Sequence, residues 1–231
     1  MNEIRKAARV EQQVLSPEEL ALINAQSLRP LTAEEVFTFR LAACDNQVDR
    51  DYERFTENAL EGLAPLFVGR PVLLDHQWSA CSQTARVYAA AVEGTAVRRL
   101  VLRCYMPRME QIAPTITAIE SGILRECSVG VAMERAVCTI CGADQAKACC
   151  VHRPGGEYDG KTCVMELDGA RDAYEVSLVA VPAQPEAGII KSKRYGGQEP
   201  QQPPDRAGEE EALRLARARQ EQEELRYGGT R

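Results

Sequence analysis

The reading of the fold turns on Tyr174-Glu175-Val176-Ser177-Leu178-Val179-Ala180-Val181-Pro182-Ala183. It is an apolar, β-branched run holding one carboxylate, and Pro182-Ala183-Gln184-Pro185 closes it. Such a run, bounded by proline, predicts a buried strand. A second run, Arg125-Glu126-Cys127-Ser128-Val129-Gly130-Val131, puts a serine inside a strand beside a glycine. A third, Leu73-Leu74-Asp75-His76-Gln77-Trp78, puts a histidine directly after apolar strand residues. Working outward, Phe37, Phe39 and Leu41 alternate with Thr38 and Arg40, which predicts another strand. Two more are expected near 84–93 and 98–105, joined at Glu93-Gly94-Thr95, and strands near 124–134 and 172–181 bracket a cysteine-rich insert.

Helical signals fall between the strands. Ser16-Pro17-Glu18-Glu19 is a capping box with proline in the first turn, followed by Leu20, Leu22 and Ile23. Thr32-Ala33-Glu34-Glu35 caps a further turn. Thr56 caps a short helix carrying Leu60, Leu63 and Ala64, ended by Pro65 and Gly69. A helix near 108–121 places Ile112, Ile116 and Ile119 on one side and stops at Gly122, with Pro114 bending it. The class is α+β. Residues 1–30 form an N-terminal helical extension, 31–191 the main domain, and 192–231 a Gly/Pro linker and a charged helical tail. That tail holds eight basic and eight acidic residues, so the net charge of −6 belongs to the rest of the chain.

An apolar content of 45% supplies a core for one domain with tails, and excludes a chain disordered throughout. The acidic balance and 5% aromatic content argue against a binder of nucleic acid that works by neutralising phosphate. No apolar run approaches the roughly 18–20 residues that cross a bilayer, and the opening Met1–Gln13 lacks an apolar signal core. No membrane association is expected, and the chain is expected in cytoplasm.

Nine cysteines are many for a reducing compartment. The isolated Cys44, Cys81, Cys104 and Cys127 read as small core residues, whereas Cys138, Cys141, Cys149, Cys150 and Cys163 crowd into the insert at 138–163. Cys138-Thr139-Ile140-Cys141-Gly142 is a C-x-x-C knuckle. Zinc takes four tetrahedral sulfur or nitrogen ligands in closed structural sites. Cys138 and Cys141 are its firmest candidates; Cys150 with His152 makes a C-x-H second half, and Cys163 is the alternative to the histidine.

A serine hydroxyl is a poor nucleophile until a histidine takes its proton, and that histidine needs a third group to fix its tautomer. His76, Ser128 and Glu175 supply the three types, each on a predicted strand. Asp168 and Asp172 rival Glu175. Asp75 is a poorer third member and Cys127 a poorer nucleophile, because adjacent strand residues point to opposite faces.

These residues also carry a resemblance. The run from Cys44-Asp45-Asn46 through Arg54-Phe55, with Leu74-Asp75-His76, Cys127–Val131 and Glu175–Ala183, resembles the prohead (capsid maturation) proteases of tailed bacteriophages, a family related in fold to the herpesvirus assemblins. The likeness spans residues 20 to 190 or so. It implies a serine endopeptidase with a compact β-barrel surrounded by helices. Such an enzyme is packaged in the prohead, in the bacterial host cytoplasm, and cleaves scaffold, capsid-protein extensions and itself. Major capsid protein and scaffold would be its substrates, and a second copy of the chain a further partner. By position Ser128 would be the nucleophile and His76 the general base. Assemblins use a second histidine as third member; here the only other one, His152, sits among cysteines, which leaves Glu175 as the orienting acid. Zinc would pin the insert and take no part in catalysis. Two alternatives stand beside this reading: an inactive capsid-assembly scaffold or zinc-pinned interaction module, and a zinc hydrolase.

Overall fold

A computed structural model describes residues 15–190. The expectations for the first 14 residues and for the tail from 192 onward lie outside the described residues.

The alternating stretch at Phe37 builds β1 (Val36–Asp45), which pairs antiparallel with β5 (Arg99–Pro107). β5 pairs with β4 (Ala85–Glu93) through a turn at Gly94. Its backbone φ is +91°, and a Cβ there would lie 2.2 Å from the Val97 carbonyl oxygen, so the turn needs glycine. β4 pairs with β3 (Pro71–Leu74), and β3 runs parallel to β9 (Met165–Leu178). β9 is the hub. It also takes β2 (Glu53–Phe55) in parallel, and along its other edge β6 (Cys127–Cys138) antiparallel. β10 (Gly188–Ile189) closes on β1, while β7 (Glu157–Tyr158) and β8 (Lys161–Thr162) make a separate small hairpin in the insert.

The class is α+β, but the expected barrel is not closed. The mixed sheet runs β10-β1-β5-β4-β3-β9-β2 with β6 on β9. Its open ends, β6 and β10, touch through one bridge between Glu126 and Gly188. β10 has only two residues, because the chain after β9 is interrupted by Pro182 and Pro185, which cannot donate to a ladder. Nor do helices surround the sheet. Among the described residues there are three short ones, α1 (Pro17–Asn24), α2 (Glu57–Phe67) and α3 (Ala113–Glu120).

Each helix follows from its caps. The Ser16 hydroxyl accepts from the Glu19 N–H at 3.2 Å and the Glu19 carboxylate accepts from the Ser16 N–H at 3.4 Å. Thr56 caps α2 by accepting from the Ala59 N–H at 3.1 Å, and the helix runs through Pro65 to Phe67 rather than stopping there. α3 starts later than expected, since Pro114 sits in its first turn, where a missing N–H costs nothing, and so does not bend it. α2 turns Leu60, Leu63 and Phe67, all fully buried, into a core shared with Leu41, Val72, Val87, Leu100, Leu102, Val176 and Leu178. Burying each such side chain is worth about 1.5–3 kcal/mol relative to leaving it in water. Cys44, Cys104 and Cys127 are core residues as expected, but Cys81 is exposed. It lies in the polar loop that links β3 to β4.

Candidate active site and metal centre

Antiparallel pairing decides which side chains meet. Across β6 and β9, Ser128 stands opposite Ser177 and Gly130 opposite Glu175. Direct partners share a face, and so do residues two apart on one strand. Ser128, Ser177 and Glu175 therefore lie on one face, while Cys127, Val176 and Leu178 point into the core.

β3 brings the histidine to that face, though not as a strand residue. Its last residue, Leu74, pairs with Leu178, and the chain then turns through Asp75 and His76 with φ of +51° and +53°. Two consecutive non-glycine residues in the left-handed region are strained and need outside support. The Asp75 N–H donates to the Leu178 carbonyl at 3.0 Å, and the His76 N–H donates to the Ser177 hydroxyl at 3.0 Å. The turn aims the imidazole at β9, where His76 Nδ1 lies 2.8 Å from Glu175 Oε1.

Glu175 is only 2% exposed. Its other oxygen, Oε2, accepts from the Ser177 hydroxyl at 2.5 Å. A buried carboxylate is costly unless its lone pairs are satisfied, and here an imidazole and a hydroxyl take both oxygens. Ser177 thus ties the carboxylate and the histidine turn together. Sequence reasoning assigned it no role, although the Glu-x-Ser spacing on a strand already placed both side chains on one face. Gly130 also belongs here. A Cβ on it would sit 2.6 Å from Glu175 Oε1, so glycine is what lets the carboxylate lie across β6.

Among the described residues no hydrogen bond joins His76 to Ser128. The two are linked at one remove, through Ser177, which bonds the His76 backbone and faces Ser128. Nucleophile–base contacts are often long before substrate binds. Ser128 borders a cleft of about 390 Å³ along β6, which Cys44, Phe55 and Leu167 also line. Among the described residues, none pairs as a strand with the β6 edge away from β9 between Cys127 and the bridge at Val137.

The rivals are engaged elsewhere. Asp172 pairs with Arg70 at 2.8 Å, and Asp168 accepts from the Thr56 hydroxyl at 2.6 Å and from Arg135. Burial pushes the Cys127 thiol up to about 12, which keeps it protonated and inert.

Ten residues along β6 from Ser128, about 30 Å at strand rise, lies the insert. The ligand atoms of Cys138, Cys141, Cys150 and His152 all fall within 4.8 Å of one another. Cys138 ends β6, and its amide donates to Ala143 as the Gly142 amide donates back to Cys138. His152 Nδ1 is buried with no hydrogen-bond partner, and the ring stands edge-on to Tyr158 at 4.5 Å between centroids. An orphaned imidazole nitrogen beside three thiols is what a site for a thiophilic metal would leave. Burial raises the Cys138 thiol, but the Cys141 and Ile140 amides and the Cys163 and Cys141 thiols outweigh it and bring it to about 6. Cys163 falls outside the group of four, yet its sulfur lies 3.7 Å from that of Cys138 and is fully buried. Cys149 is exposed. This cluster could hold a metal ion.

No protein-family model, curated protein or solved structure matches the chain. Among the described residues no helix is long and apolar enough to cross a membrane.

Proposed function

We propose that the chain is a serine endopeptidase with Ser128 as nucleophile, His76 as general base and Glu175 as the acid that orients it. The observation that carries this reading is the 2.8 Å contact between His76 Nδ1 and a carboxylate 2% exposed. That contact fixes the tautomer: Nδ1 holds the proton that Glu175 accepts, which leaves Nε2 free to act as base. As Ser128 Oγ attacks the scissile carbonyl, Nε2 takes its proton, and Glu175 steadies the imidazolium. Nε2 then protonates the leaving amine, and water resolves the acyl-enzyme by the same route. The open edge of β6 suits a peptide lying extended beside Ser128.

The resemblance to prohead proteases supplies the setting: cleavage of scaffold and capsid-protein extensions, and of the chain itself, inside an assembling prohead. Three thiols and an imidazole suit zinc in a closed structural site. Cys138, Cys141, Cys150 and His152 would hold it, tying the end of β6 to the insert.

The test is incubation of wild type and Ser128→Ala with the capsid and scaffold partners. Wild type should cut the partner and show a shortened mass itself, while Ser128→Ala leaves both at full length. An intact partner in both samples would mean an assembly scaffold with no turnover. Loss of cleavage on chelation, with Ser128→Ala still active, would mean a zinc hydrolase.

A further inference from the structure

Beside the His76–Glu175 pair lies a pair of rings that the mechanism leaves unused. Trp78, the only tryptophan of the chain, is 72% exposed. It leans on Tyr174, 40% exposed, with ring centroids 5.7 Å apart and planes inclined by 55°. Strand alternation would send Tyr174 into the core, opposite in sense to Glu175. A bulge prevents that. Gly130 pairs with Glu175 and Val131 with Ala173, so Tyr174 is the extra residue. Bulges beside active sites re-aim side chains, and here the fully buried Ala173 takes the core position while Tyr174 meets the indole. Trp78 follows two residues after His76, just beyond that strained turn. Two large rings, one adjoining Glu175 in the chain and the other two residues beyond His76, meet and remain open to solvent.

We infer that Trp78 and Tyr174 form a shelf for a large apolar or aromatic side chain of the substrate, on the amine side of the scissile bond. This deepens the proteolytic reading and rests on it. The side follows from the chemistry. His76 must reach the leaving amine to protonate it, so residues flanking the imidazole face the chain that continues from that amine. An aromatic or aliphatic side chain laid there covers both rings, whereas alanine leaves them wet.

The experiment uses fluorescence-quenched peptides from a library randomised at the residue following the cleaved bond, then a matched pair with Phe or Ala there. Wild type should favour Phe by about 10–100-fold in kcat/KM. In Trp78→Ala and in Tyr174→Ala that ratio should fall towards one, mainly through KM. Being a ratio within one preparation, it is insensitive to the fraction of protein folded. Titrating Ser128→Ala with the uncut Phe peptide should move the emission of Trp78 to shorter wavelength. A Phe/Ala ratio unmoved by either substitution overturns the shelf and leaves proteolysis standing. A library uncut by wild type, or cut equally by Ser128→Ala, overturns the proteolytic reading and the shelf with it.

Discussion

Three side chains and one missing side chain define the site at the scale of single residues. Glu175 has one oxygen on His76 and the other on Ser177, so its neutral isostere tests whether the charge matters. Glu175→Gln keeps the shape but presents an amide to one of the two, and the histidine loses its fixed tautomer. Turnover should fall by about 10⁴-fold, by analogy with replacement of a triad aspartate by asparagine, with KM little altered in steady-state kinetics. An unchanged kcat would remove Glu175 from the mechanism. Gly130→Ala probes the same carboxylate from below. The new methyl would meet Oε1 at 2.6 Å, so the carboxylate must leave the imidazole. A displacement near 1 Å costs about 10²-fold in rate. A Gly130→Ala enzyme with full kcat and an unmoved His76 resonance in NMR would show that the close packing at this glycine is incidental.

At the scale of elements, the β6–β9 ribbon carries most of the candidate site: Ser128 and Gly130 on one strand, Glu175 and Ser177 on the other, and the cysteine insert at the far end, with His76 brought in by the turn after β3. Much of this was legible. The apolar runs at 125–131 and 174–183 announced both strands, and strand parity already separated Ser128 from Cys127. Other features were not, because they depend on pairing between distant segments. That His76 is a turn residue in the left-handed region, that Ser177 bridges it to Glu175, and that Tyr174 sits in a bulge all arise from register, which no local pattern states. The same long-range pairing decided the open sheet, where two prolines leave β10 too short to close a barrel. For the metal, the ribbon predicts a separation of effects. Chelation should expose the amides of 134–138 and 165–168 to hydrogen exchange, while those around 128 and 177 stay protected. The ligand set is tested in the same assay with cobalt(II) as the probe. His152→Ala should weaken its binding at least tenfold if the orphaned ring nitrogen supplies the fourth donor, and Cys163→Ser should change it little. The reverse order would make Cys163 the ligand.

For the whole molecule, pH is the variable that separates a lost base from a lost fold. The proposed mechanism needs a neutral imidazole at His76, so cleavage should decline as acid protonates that base. Stability answers to other groups, in both directions: Cys138, brought to about 6, gives up stabilisation as pH falls from the ordinary thiol range through that value. Burial raises the Asp49 carboxyl, and the crowding of Asp51 and Asp45 adds to it; burial also raises Glu53, with Asp49 and Asp51 adding. A carboxyl whose folded pKa exceeds its unfolded value binds more protons when folded. Its contribution therefore improves as pH falls through the window from the raised value to the ordinary one. Asp168 is the opposite case, lowered by its hydrogen bond from Thr56 and by Arg135 against the effect of burial. Its stabilisation is complete above the ordinary carboxylate range and is lost only below about pH 4. Acid should thus switch off cleavage before the fold is lost, and returning the sample to about pH 8 should restore the rate. A midpoint that fell to the assay temperature as activity was lost would place the loss in unfolding, and flat activity in acid would take the imidazole out of the reaction.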